Sequence, residues 1–289
     1  MKRSFFAFMD AAELTLIRNY PEHTDVFERA ADECETLFNY TLSDPKHSEL
    51  LVQSLFRINL NYLIGAYKAT LQAIPSFAYC GMRNIFEGTV RGYYYLVNEE
   101  AAIASYLYMS THGAENAPGF DDVDVNIMKG AIDQVQDAKL KQLCEKVLKK
   151  EGFSEDDKAA VSKLDESSRK IKHNIGKLYT SRVQTNMNAI WSEFSRYCHS
   201  GFRLRYEDLQ LPKSRIPVYE SHLTSLLLLL TANALMYLEI VDHTKIDASF
   251  LGEVFRLIEY YPEYFPNKDK YQGCFKLTSQ QAIDRLLRI

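Results

Sequence analysis

Leu51-Val52-Gln53-Ser54-Leu55-Phe56-Arg57-Ile58-Asn59-Leu60-Asn61-Tyr62-Leu63-Ile64-Gly65-Ala66 decides the fold class of this chain. Leu51, Leu55, Ile58, Tyr62, Leu63 and Ala66 recur at helical spacing, and the two-residue alternation of a strand is missing. The pattern predicts a helix from about His47 to Gln72. Pro75 suits the first turn of a following helix that runs to about Asn98, and a shorter one continues from Ala101 to Thr111. Upstream, Val26, Ala30, Leu37 and Phe38 stripe a helix over Asp25 to Leu42. Downstream, Asn186 to His199 and Ile246 to Tyr261 read the same way. We therefore expect an all-α multi-helix bundle forming a single helical domain over residues 1–289.

Within it, residues 113–185 change character. Gly113 to Gly119 reads as a loop. Asp121 to Arg182 is then rich in Lys, Asp and Glu, with helices expected at Val125–Lys150 and Glu155–Ile175 and a break at Gly152. This predicts an exposed, charged helical insertion. Its basic run Arg169, Lys170, Lys172, His173, Lys177 and Arg182 is read as a solvated face. Ser221 to Leu238 carries no Lys, Arg, Asp or Glu and is just long enough to approach a membrane span. His222, Thr224, Ser225, Thr231 and Asn233 interrupt it, so a buried central helix is expected and stable membrane insertion is not.

Composition narrows the function. A net charge of -4 over 289 residues argues against a general nucleic-acid coat. Five scattered cysteines without a C-x-x-C pair predict reduced thiols and neither zinc nor a disulfide framework. Asp10 and Glu13 cut the first apolar run too short for an export signal, so a cytoplasmic protein is expected. Glu-x-x-His pairs, Gly-rich phosphate loops and Gly-x-Ser-x-Gly elbows are missing; no metal site or cofactor is predicted.

Two segments carry charge where a buried helix should not. Arg83, Glu87 and Arg91 lie four residues apart on one helix face, flanked by Asn84 and Tyr95. A glutamate between two arginines makes an ion ladder, or leaves guanidinium donors for a phosphate or carboxylate. In Trp191 to Gly201, Arg196 and His199 share a face with Ser195 close by. An imidazole at a helix C-terminus suits phosphate binding or acid catalysis. We expect the two segments to face one polar cleft that binds an anionic ligand, a nucleotide or RNA phosphate, or a partner. Its binding residues would be Arg83, Asn84, Glu87, Arg91, Tyr95 and Ser195.

Arg83-Asn84-Ile85-Phe86-Glu87, then Tyr93-Tyr94-Tyr95-Leu96 and the later Ser195-Arg196-Tyr197-Cys198-His199-Ser200, together resemble a loose family of uncharacterised bacterial and archaeal helical proteins. Some of its relatives are similar to the HEPN superfamily, helical bundles that include metal-independent ribonucleases of phage defence and toxin systems. The resemblance implies an alternative in which His199 is the acid–base group and Arg83 or Arg196 holds the scissile phosphate. HEPN nucleases place a histidine four to six residues beyond the arginine. Here Arg83-Asn84 has Glu87 instead, Arg196 and His199 are too close, and the literal match Arg18-Asn19-Tyr20-Pro21-Glu22-His23 contains a proline. A further alternative is a non-catalytic scaffold. Tyr260, Tyr261 and Tyr264 point to self-association as a homo-oligomer.

Overall fold

The computed structural model of the protein describes residues 17–39, 42, 45–72, 74–112, 120–198, 216–241 and 250–257. All regular structure among them is helical and no strand occurs. The helices are α1 (Pro21–Phe38), α2 (His47–Leu71), α3 (Pro75–Val97), α4 (Glu99–His112), α5 (Asp122–Ala131), α6 (Ala138–Leu148), α7 (Glu155–Arg169), α8 (Ile171–Leu178), α9 (Ser181–Cys198), α10 (Ile216–Leu238) and α11 (Phe250–Leu257). A 3₁₀ turn, Ile132–Gln134, follows α5. Pro21 and Pro75 each open a helix, where a missing N–H costs nothing. The bend at Tyr20 then divides the literal Arg18–His23 match between two helical segments.

The chain forms two compact units. One holds α1, α2 from Phe56, α3 to Thr89, and α9, α10 and α11; the other holds the start of α2, α3 from Val90, and α4 to α8. The second unit takes in residues 113–180 of the expected insertion and adds residues 41–55 and 90–112, so it includes the start of α2, the end of α3 and all of α4.

In the first unit α10 is the central rod. His222, Leu223, Leu226, Leu227, Leu230, Thr231, Asn233, Leu235 and Tyr237 are all buried on it, so apolar contact surrounds the helix. Its packing is fixed by rings and amides. Tyr237 stacks on Phe56 of α2 with centroids 4.2 Å apart, and Asn233 Oδ1 accepts from Asn59 Nδ2 at 2.9 Å. The expected buried helix is thus present. No helix among the described residues is long and apolar enough to cross a membrane. Phe27 of α1 stacks on Tyr67 of α2 at 4.3 Å, and the Tyr67 hydroxyl donates to Glu28.

The second unit builds a core from a polar sequence by giving each short helix one apolar stripe. Ile103, Ala104 and Leu107 of α4 pack with Met128, Leu140, Leu143, Cys144, Val147 and Val161. Acids cap the helices. Asp121 and Asp124 form a capping box on α5, Ser154 and Asp157 form one on α7, and Asp137 accepts the Leu140 N–H on α6.

These caps explain why the expected Val125–Lys150 helix is divided. The Glu100 carboxylate takes the N–H groups of Gln136 and Asp137, and Asp137 then starts a new helix. The break expected at Gly152 is present: α6 ends at Leu148, Lys150 takes the left-handed position with φ 55°, and α7 starts at Glu155. The expected Glu155–Ile175 helix is also split, at Lys170. Arg169 pairs with Asp165 and Lys170 with Glu166, both on α7.

Asp157 is buried beneath Lys146, Ser154 and Lys139. The Lys146 hydrogen bond is the main force holding its carboxyl well below the usual carboxylate range, against the opposing pull of burial. A depressed folded pKa contributes stability that is present above the unfolded value of about 4 and is lost as pH falls through the folded one. Urea melts of the wild type and Asp157→Asn should therefore differ most at neutral pH and converge as pH is lowered from about 5 toward 2. A constant difference would show that the charge on Asp157 is immaterial.

Candidate functional site

Trp191, Ser195 and Cys198 form an i, i+4, i+7 stripe on α9, and Glu87, Arg83 and Tyr79 form one on α3. The first unit brings these stripes together. Trp191 Nε1 donates to Glu87 Oε1 at 2.8 Å, Phe194 meets Phe86 edge-to-face at 6.1 Å, and the Cys198 thiol lies 3.7 Å from the Tyr79 carbonyl. Residue numbers fall along α3 as they rise along α9, so the helices run antiparallel. Ser195 consequently stands at the level of Arg83. Its hydroxyl is buried and lacks a hydrogen-bond partner. Tyr79, in contact with Phe194 and with His222 of α10, closes the seam.

The charge at the seam is fixed by short contacts. Arg83 Nε donates to Glu87 Oε1 at 2.8 Å, the atom that Trp191 also uses. Both side chains are about a fifth exposed, at 22% and 19%. Burial alone would lower the Arg83 pKa; the hydrogen bond and charge of Glu87 override it and raise it. The Cys198 thiol is pushed up to about 12, by burial first and by neighbouring Cys80 second. Burial pushes the His222 imidazole down to about 4. At neutral pH the seam thus holds a permanent cation among a protonated thiol and a neutral imidazole. Neither is charged for nucleophilic or acid work, and the Glu87 carboxylate is committed to two donors.

The remaining expected residues are distributed elsewhere. Asn84 is exposed. Arg196 is exposed and pairs with Glu193 of its own helix at 3.0 Å. Arg91 and Tyr95 fall in the second unit. Arg91 Nε is buried without a hydrogen-bond partner, so the ladder is only half formed, Trp191 taking the place expected for Arg91 on Glu87. The Tyr95 hydroxyl donates to Ser105 at 2.8 Å, and burial chiefly raises its pKa. His199, Tyr260, Tyr261 and Tyr264 lie outside the described residues.

Sequence reading passed over Trp191 as a site residue. It is the chain's single tryptophan, and a half-buried indole N–H seeks an acceptor, but no spacing rule points from Trp191 to Glu87. Among the described residues no group of three His, Cys, Asp or Glu side chains is placed to hold a metal ion. No family model, curated protein or solved structure matches the chain.

Proposed function

We propose that the α3–α9 seam binds an anionic ligand, with the phosphate of a nucleotide or a short RNA as its best-fitting chemistry. The observation that carries the reading is the meeting of the two charged segments at Glu87 and Trp191, 104 residues apart. The Glu87 carboxylate at Nε and the Cys198 thiol beside it fix the guanidinium plane, and an arginine so held matches the geometry of planar oxyanions. The unpartnered Ser195 hydroxyl supplies a second donor at the same level. The Trp191 indole, held by Glu87, gives a rigid wall against which a base can stack. Binding is favoured over catalysis because the seam's thiol, imidazole and carboxylate are each in the wrong state or already engaged.

Isothermal titration of the full chain with ATP and with a short single-stranded RNA tests this. At least one should bind saturably, and Arg83→Ala should weaken it by roughly tenfold or more, the worth of a hydrogen bond to a charged group. Arg196→Ala, which alters only an exposed ion pair, should weaken it a few-fold at most, and less as salt rises. Circular dichroism checks that each variant is folded. Indifference of the wild type to both ligands, or equal affinity in Arg83→Ala, removes the reading.

A further inference from the structure

Where α2 begins, the Lys46 N–H donates to Glu49 Oε2 at 2.8 Å and pins the first turn. That turn, the start of α4 and one side of α5 surround a cavity of about 320 Å³, all within the second unit. Its polar wall is Lys46, His47, Glu99, Asn126 and Gln134, and its apolar wall centres on Ile127.

His47 is fully buried, yet neither ring nitrogen has a hydrogen-bond partner. Glu99 Oε1 is likewise buried and unpartnered. Native interiors rarely tolerate three such atoms together, and those that persist mark a place that a ligand or water completes. The ring packed against His47 is already committed. Tyr106 offers His47 only its ring, edge-on at 4.9 Å, because the Tyr106 hydroxyl is given to Asp124. Burial pushes the His47 pKa down to about 4, Asp124 opposing it, so the ring is neutral and offers one lone pair and one N–H.

The spacing chooses the ligand. His47 Nδ1 and Glu99 Oε1 are 3.9 Å apart, beyond a direct hydrogen bond. A single nitrogen can nevertheless sit about 2.8 Å from each, donating one N–H to the imidazole lone pair and another to the carboxylate. The two acceptors, one of them anionic, call for a charged donor. A divalent metal is disfavoured, because among the described residues no third ligating side chain joins them. The cavity is at the small end of ligand sites, with room for a compact apolar body against Ile127.

We propose that this cavity binds a small primary amine, its ammonium group bridging His47 and Glu99 and its apolar part lying on Ile127. The full chain titrated with benzylamine, benzyl alcohol and benzoate tests it, with the His47 ring nitrogens followed by long-range ¹H–¹⁵N NMR. Benzylamine should bind saturably and shift the His47 resonances, while the alcohol and the carboxylate should not. Glu99→Gln, which keeps the shape and removes the charge, should weaken benzylamine by roughly tenfold or more. The proposal is overturned if benzylamine does not saturate, leaving a cavity that holds only water. It is equally overturned if the alcohol or benzoate binds as well, if His47 does not respond, or if folded Glu99→Gln binds benzylamine undiminished.

Discussion

Gly88→Ala should destabilise the protein by about 2 kcal/mol or more, although alanine is the better helix former by about 1 kcal/mol. The reason is the approach of α2 to α3. A Cβ on Gly88 would lie 2.3 Å from Oδ1 and 2.9 Å from Nδ2 of Asn59, and one on Gly81 would lie 2.7 Å from the Ala66 Cβ. Glycines seven residues apart thus line one face of α3 and let α2 come close. Asn59 cannot step aside cheaply. Its amide donates to Asn233 Oδ1 at 2.9 Å and to Thr89 Oγ1 at 3.3 Å, and Asn233 in turn donates to the Phe56 carbonyl at 3.2 Å. Asn59 and Asn233 are buried, so every bond given up leaves a polar group without water, at about 1–3 kcal/mol each. Gly65 is the control. Nothing lies within 4 Å of a Cβ placed there, and Gly65→Ala should stabilise by about 1 kcal/mol. Urea denaturation followed by circular dichroism separates the two signs. In an Asn59→Ala background the Gly88→Ala penalty should shrink sharply, because the clashing atoms are gone. Equal, stabilising effects of Gly65→Ala and Gly88→Ala would mean that the helices do not approach as described.

The α2–α3 contact also shows where a sequence stops being readable. The apolar period of α2 and the proline opening α3 placed both helices to within a residue or two, because caps and stripes are local. The uncharged run in α10 announced a buried rod by the same logic, with Asn233 visible only as a polar interruption. Its partner Asn59 is 174 residues away, and no spacing rule links them. The pairing of Arg83 with Glu87 was legible as an i, i+4 contact. That Trp191 would share the same Glu87 oxygen was not, since it depends on how α9 packs. Arg91 shared a helix face with Arg83 on paper and Tyr95 flanked it, but the helix passes from one compact unit into the other before reaching them. His47 carried no signal beyond opening a helix. Its isolation with Glu99 is a property of packing alone.

Asp165→Ala should cost about 3–5 kcal/mol, the usual penalty for stripping one partner from a buried charged network, and should be the most damaging single polar change in the second unit. Asp165 is buried on α7 and ties it to α4, within a network that extends to α3 and α8. Its Oδ1 accepts from Ser105 of α4 and lies 2.6 Å from the Ser168 hydroxyl, while Oδ2 takes Arg169 Nε at 2.9 Å. Ser105 accepts in turn from the Tyr95 hydroxyl of α3, and the Ser168 carbonyl from Asn174 of α8, at 2.7 Å. Removal of the carboxylate takes the charged acceptor from two buried hydroxyls, leaving Ser168 the Asp165 carbonyl and Ser105 the Ser168 hydroxyl, and leaves the Arg169 guanidinium with the Ser162 carbonyl and its place over the Tyr108 ring. Asp165→Asn keeps one acceptor oxygen and should cost roughly 1–3 kcal/mol, chiefly the lost charge. Tyr95→Phe, at the rim of the network, should cost about 1 kcal/mol. The decisive measurement is the double-mutant cycle between Ser105→Ala and Asp165→Ala. Strong coupling, with Ser105→Ala nearly silent once Asp165 is gone, identifies the carboxylate as the hub that makes a charged, capped sequence fold. Additive losses would mean that the apolar stripes of α4 and α7 hold the unit unaided.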